Sequence, residues 1–302
     1  MTLIRYQDFN FRPATLTMIE QANGIIAEYQ RQGYTLTLRQ LHYQFVSRDL
    51  MPNTFRNYKK LGTVMNDARM AGLVSWTAIE DRGRSTELPY VKDNVAQIVD
   101  SIRYHFAADF WKNQPRYIEV WVEKDALSSI VEKACDPLRV PYMACKGYLS
   151  VSEMWRAGLR MKAARKRGQH PMVIHLGDHD PSGIDMTRDN EERLYTLSEG
   201  PVQINRIALN RDQIEEFDPP PNPTKVTDSR AVDYLAEHGE TSWELDALEP
   251  SVLRDLIDAT IREHIDPEAW AEAEEEEREG TSKLELLADN WPEVEEFLNN
   301  NF

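Results

Sequence analysis

The stretch that most constrains how this chain can fold is Pro171 to Met186, PMVIHLGDHDPSGIDM. Met172 to Leu176 is a short run dominated by apolar and β-branched residues, which reads as a strand buried on both faces of a parallel sheet. Directly after it, Gly177, Asp178, His179, Asp180, Pro181, Ser182 and Gly183 place two carboxylates at i and i+2 where the strand ends, and Pro and Gly enforce a turn. In an open α/β sheet, ligands bind in the crevice at the carboxyl ends of the strands. Two carboxylates this close repel each other unless a cation sits between them, and a hard, oxygen-loving ion such as Mg²⁺ is the natural occupant.

A second acidic element has the same logic. Tyr117 to Val122 (YIEVWV) reads as a strand that ends in Glu123, within VEKDAL. A glutamate after one strand and a DxD after a later one resembles the Toprim domain. The form of the second motif, GDHDPSGID, resembles the topoisomerase VI A subunit and its meiotic double-strand-break relatives. That resemblance implies a Mg²⁺ site, with Mn²⁺ as the alternative ion, held by Glu123, Asp178 and Asp180, and Glu123 also available for proton transfer. Asp185 is either a fourth acid or a helix-start residue. His175 lies within a strand and His179 has no third soft ligand nearby, so both read as core or supporting histidines rather than zinc ligands.

Upstream, Thr15 to Gln32 has a helical pattern closed by Gly33. Thr37 caps a second helix with Leu38, Leu41, His42, Phe45 and Val46 on its apolar side. At helical spacing Tyr43 points about 130° away from the centre of that cluster, beside Arg39 at i−4, and so reads as a residue off the core. Asn57 to Gly72 gives a third helix with Lys59, Lys60 and Arg69 outward. LVSWTAI (73–79) reads as a strand, and EDRGRS as a turn carrying Arg82 and Arg84. This is the order of a winged helix, with those five cations as DNA contacts. Arg39 to Tyr43 (RQLHY) resembles the R-x-x-[FY]-Y motif of the topoisomerase VI A family, with His42 in place of its usual aromatic. The resemblance implies that Tyr43 is the nucleophile, assisted by Arg39. It also implies that the tyrosine of one subunit works with the metal site of its partner in a homodimer.

The net charge of −16 is unevenly spread. Residues 1–90 hold 11 Lys/Arg against 8 Asp/Glu, residues 91–200 hold 16 against 16, and residues 201–302 hold 8 against 27. A polyanion would therefore meet the first two thirds of the chain and be repelled by the last. Cys135 and Cys145 are too few for a disulfide framework, and no apolar stretch has the length of a membrane span, so a cytoplasmic, nucleoid-associated protein with no membrane partner is expected. Along the remaining chain, Asp93 to Phe110 reads as a bridging helix, Asp212 to Ser229 as a proline-rich extended excursion, the stretch 241–265 as carrying a core helix with Leu253, Leu256, Ile257, Ile261 and Ile265 at helical spacing, and Ala271 to Gly280 as a solvated acidic helix.

The expected architecture is α/β. It comprises a winged-helix domain (1–90), a linker helix (91–116), a Toprim domain with a mostly parallel, Rossmann-like sheet (117–265), and an acidic helical tail (266–302). The expected function is a DNA-binding, metal-dependent transesterase acting on double-stranded DNA. No Walker-type GxxxxGK[ST] is present, so strand passage driven by ATP would need a separate ATPase subunit. A hydrolytic Toprim nuclease and a non-catalytic DNA-binding or bridging protein are the alternatives.

Overall fold

The structure, a computed structural model, describes residues 3–80, 89–224 and 231–301 and is α/β. The first unit comprises α1 (Pro13–Arg31), β1 (Leu36–Thr37), α2 (Leu38–Ser47), α3 (Phe55–Met70) and β2 (Ile79–Glu80). Pro13 starts α1, where its fixed φ suits the first helical turn. Thr37 and Gln40 form a capping box on α2. Thr54 caps α3 by accepting from the Asn57 amide at 3.2 Å. Ile25, Tyr29, Leu41, Phe45, Leu61 and Met65 close the core between these helices.

Two expectations are corrected here. Of LVSWTAI only Ile79 is in a strand, and with Glu80 it pairs in parallel with Leu36 and Thr37. Gly72, at φ +70, ends α3, and Ser75 Oγ then accepts from the Thr77 amide at 3.4 Å. That local bond holds the backbone in turns instead of a ladder. The bridging helix is shorter than Asp93 to Phe110: α4 is Val95–Ile102, capped by Asn94. Beyond it the chain leaves helix to place Phe110 against Trp270, with ring centroids 4.7 Å apart. The basic arm with Arg82 and Arg84 lies outside the described residues.

The central sheet contains β3 (Arg116–Val122), β4 (Tyr142–Ala144), β5 (His170–Leu176) and β6 (Gln203–Ala208), all parallel, in the order β4-β3-β5-β6. Between them run α5 (Ser128–Cys135), α6 (Val151–Lys166) and α7 (Pro181–Ser198). Side chains alternate across the sheet as the pleat requires. Ile118, Val120, Val122, Met172, Ile174 and Leu176 face the core shared with α5. Trp121 and Val173 face the opposite core, with Met154, Ala157 and Met161 of α6 and Leu194 of α7. Glu119 lies on that second side, 2% exposed, and its carboxylate is met by Arg160, Tyr117 and the Trp121 indole. The cationic end of α6 is likewise spent on structure, Arg160 on Glu119 and Arg165 on Ser198 and Pro201.

The proline-rich excursion opens as helix, α8 (Arg211–Phe217), because Asn210 and Gln213 cap it reciprocally. β7 (Asn222–Pro223) and β8 (Thr241–Ser242) then pair around α9 (Ala231–His238). Residues 225–229 of the excursion lie outside the described residues. The core helix α10 (Pro250–Arg262) packs on α5, burying Leu253, Ile257 and Ile261. The acidic helix is longer than its acidic run, α11 (Pro267–Asp289), and is followed by α12 (Trp291–Asn301). It is no free tail. Arg103 reaches Asp289 at 3.0 Å, Arg139 reaches Glu277 at 2.9 Å, and the missing side chain of Gly280 makes room for the Phe106 ring. Among the described residues no helix is long and apolar enough to cross a membrane.

Candidate functional site at the carboxyl edge of the sheet

β3 and β5 are neighbours in register, so the residues that follow them emerge side by side. Glu123 donates its amide to the Leu176 carbonyl at 2.8 Å, and its Oε2 accepts the Asp178 amide at 2.8 Å. Asp178 Oδ1 accepts the Leu245 amide at 2.8 Å and pairs with Lys124 Nζ at 3.0 Å. Asp180 is the N-cap of α7, its Oδ1 accepting the Gly183 amide at 2.6 Å and the Ser182 hydroxyl at 2.8 Å. Burial raises the Glu123 carboxyl above its ordinary range, with the Asp180 charge adding to it. Burial pushes Asp178 up to about 7, reinforced by the charges of Glu123 and Asp246 and opposed by Lys124.

The turn between the two aspartates is held by its glycines and by Arg206. A Cβ at Gly183 would overlap the Asp178 carbonyl oxygen, so only glycine permits this closure. Arg206, from β6, lies under the turn. It donates to the carbonyls of Gly177 (2.9 Å), Asp178 (2.7 Å) and Gly183 (2.9 Å). It is buried deeply enough that its pKa falls to about 10, so it stays charged near neutrality and braces the acid loop from below.

The three acids are gathered, but they are not assembled into a cage. Among the described residues no group of three or more His, Cys, Asp or Glu side chains is placed to hold a metal ion. The donor chemistry nevertheless suits a hard cation. All three groups are carboxylates, and two are pushed toward protonation by burial and by neighbouring negative charge, which a bound cation would relieve. His175 is neutral, its pKa lowered to about 3 by burial, with Nδ1 3.0 Å from Thr187 Oγ1. His179 is lowered to about 4 and bonded through Nδ1 to the Tyr234 hydroxyl at 2.9 Å. Asp185 binds Arg188 and accepts from the Tyr148 hydroxyl at 2.6 Å.

The largest departure from expectation is Tyr43. It is not on an outer face: it is 4% exposed, because the side of α2 turned away from its own core is covered by the turn at Leu245–Ala247. Spacing along one helix cannot reveal a second element that covers the opposite face. An ionic clasp holds the two together. Arg39 meets Glu244 at 2.6 Å and Asp246 at 3.3 Å, while Lys124 meets Glu244 at 2.5 Å, Asp246 at 2.7 Å and Asp178 at 3.0 Å. The ion pairs thus run without a break from Arg39, beside Tyr43, to Asp178. Burial and the charges of Asp246 and Glu244 push the Tyr43 phenol up to about 12, and Arg39 pulls the other way. Glu249 adds a second tie to this unit, accepting from the Tyr29 hydroxyl and from Gln44 Nε2 at 2.9 Å.

Tyr43 lines a cavity of about 190 Å³ together with Arg39, His42, Phe55, Tyr58, Asn222 and Glu244. Lys59 and Lys60 are exposed nearby, with Lys59 Nζ 4.7 Å above the Phe55 ring. Arg69 does not join them on the outer face. It is half-buried, and its Nη2 donates to the Ile79 carbonyl at 2.7 Å. Lys124, Arg206, Glu244 and Asp246 were missed by sequence reasoning. One signal existed: VEKDAL (122–127) and WELDAL (243–248) share the spacing E-x-D-A-L, and both form short 3₁₀ turns facing the same edge. The chain matches no protein-family model and no curated protein.

Proposed function

We propose that the chain is a metal-dependent DNA transesterase of the topoisomerase VI A type, with a winged-helix-like first unit carrying the nucleophile Tyr43 and a Toprim-like sheet carrying the acids. The observation that carries this reading is the ionic chain Arg39–Glu244/Asp246–Lys124–Asp178, which links the arginine beside Tyr43 to one of the strand-end carboxylates. In the reaction, Tyr43 Oη attacks a backbone phosphorus and the bond to the 3′ oxygen breaks. A 5′-phosphotyrosyl link forms, and the phenolic proton is delivered to the departing 3′ oxygen. A phenol raised to about 12 needs help to ionise, and Arg39 supplies positive charge beside it. Glu123, whose carboxyl is raised by burial, would be the acid that takes part in proton transfer. Mg²⁺ or Mn²⁺ bound by Glu123, Asp178 and Asp180 would neutralise the nonbridging oxygens. Exposed Lys59 and Lys60 would meet the phosphates of double-stranded DNA.

Tyr43 closes on acids of its own chain, so action in trans within a homodimer requires the Arg39 clasp to open. A second reading, a hydrolytic nuclease in which Tyr43 is structural, is favoured by the burial of that same side chain. The two readings part on Tyr43→Phe. The transesterase loses all protein-linked cleavage and keeps its DNA affinity, at a stability cost of about 1 kcal/mol for one hydroxyl. A hydrolase would cut at the parent's rate.

A further inference from the structure

Beyond the chemistry at Tyr43, the cavity beside it has features of a binding site. Its volume of about 190 Å³ is below the range that holds a drug-sized molecule, so it suits a single ring system rather than a whole nucleotide. Its charged groups, Arg39 and Glu244, are paired with each other, so while that clasp is closed Arg39 is not free to take an anion. The remaining wall sets the rings of His42, Tyr43, Phe55 and Tyr58 beside polar Asn53, Thr54 and Asn222, with Phe55 71% exposed and Tyr58 stacked on it at 6.5 Å between centroids. Two wall residues carry polar atoms with no hydrogen-bond partner. They are Nε2 of His42, a side chain 3% exposed, and Nδ2 of Asn222, whose Oδ1 is taken by Asn53 at 2.8 Å. Outside, Lys59 stands over the Phe55 ring, where a phosphate attached to the occupant would lie.

We infer that this cavity receives one unpaired nucleobase, stacked on Phe55, with its polar edge turned to His42 and Asn222 and its backbone phosphate at Lys59. A planar, neutral, hydrogen-bonding heterocycle is the chemistry that this wall complements, and stacking on aromatic side chains tolerates any base. Taking a base out of a duplex costs least where it is already unpaired, so a bulge or a mismatch would be preferred. The inference rests on the proposed function only for the choice of DNA as the polymer. Its test uses binding and not cleavage, so either can fail without the other.

The full chain is titrated, without divalent ion, into three probes. These are a duplex with a single bulged 2-aminopurine, the same duplex with that base paired, and the free 2-aminopurine nucleotide. The bulged duplex should bind on the order of tenfold more tightly than the paired one, with quenching of the probe by stacking. Phe55→Ala and Asn222→Ala should each bring the ratio of the two affinities toward one. Phe55 is exposed, so its variant should keep the parent's melting temperature and the comparison stays readable. Equal affinity for the two duplexes with no change in fluorescence overturns the inference. Saturable binding of the free nucleotide as tight as that of the bulged duplex overturns the assignment to a DNA strand.

Discussion

Lys124→Met is the sharpest probe of the clasp. The ammonium is 17% exposed and faces Asp178, Glu244 and Asp246, whose side chains are 9%, 24% and 0% exposed. Burial disfavours its charge, yet these three neighbours hold its pKa above the ordinary lysine value. Methionine keeps much of the volume and leaves three carboxylates facing one another. Breaking a buried pair from one side costs about 3–5 kcal/mol, and Arg39 still reaches Glu244 and Asp246, so the lower end, about 3 kcal/mol, is expected at pH 8. For a chain of 302 residues that is a drop in melting temperature of about 5 °C. The deficit should shrink at pH 5. Asp178 is raised in the folded state from its usual 3.8 to about 7, so its contribution to stability falls as pH climbs between those values and is level above them. Without Lys124 its pKa rises further, and at pH 5 it is neutral and needs no cation. Mg²⁺ at a hundredfold over its dissociation constant should stabilise the variant by about 2.7 kcal/mol at pH 8 and by much less at pH 5. Thermal melts at both pH values, with and without Mg²⁺, give all four numbers. A variant that melts within 1 °C of the parent at pH 8 would refute the clasp.

Two further outcomes follow from the same geometry. Gly183→Ala forces a Cβ into the Asp178 carbonyl, so it should lower the melting temperature by several degrees and abolish metal-dependent DNA activity, read by melting and by cleavage of supercoiled plasmid. Mixing Tyr43→Phe chains with Asp178→Ala chains should restore part of the cleavage through one intact composite site. No recovery in verified mixed dimers would leave each chain working on its own tyrosine.

The acid edge was legible in the sequence because local rules place it. A buried β5 followed by DHDPSG, and a buried β3 followed by Glu123, put carboxylates at the carboxyl ends of two parallel strands, while the pairing of β3 with β5 is set by the fold. The capping of α2 by Thr37 was legible for the same reason. What could not be read was tertiary. Tyr43 is covered by a turn some two hundred residues later in the chain, and Arg69 is drawn inward by the Ile79 carbonyl. The segment 73–78 shows local chemistry overriding an apolar pattern, with Gly72 and Ser75 making turns where alternation suggested a strand. Asp180 was placed correctly at the edge, but its second task, capping α7, depends on the helix that starts at Pro181.

The measurement that bears most directly on the central claim is mass-spectrometric mapping of the protein after reaction with DNA and Mn²⁺, denaturation and nuclease digestion. The account predicts a nucleotide remnant joined through phosphate to the Tyr43 oxygen, absent when Asp178 and Asp180 are both replaced by alanine. Cut DNA with free 5′ phosphates, together with an unmodified Tyr43 peptide, would contradict it and make the chain a hydrolase.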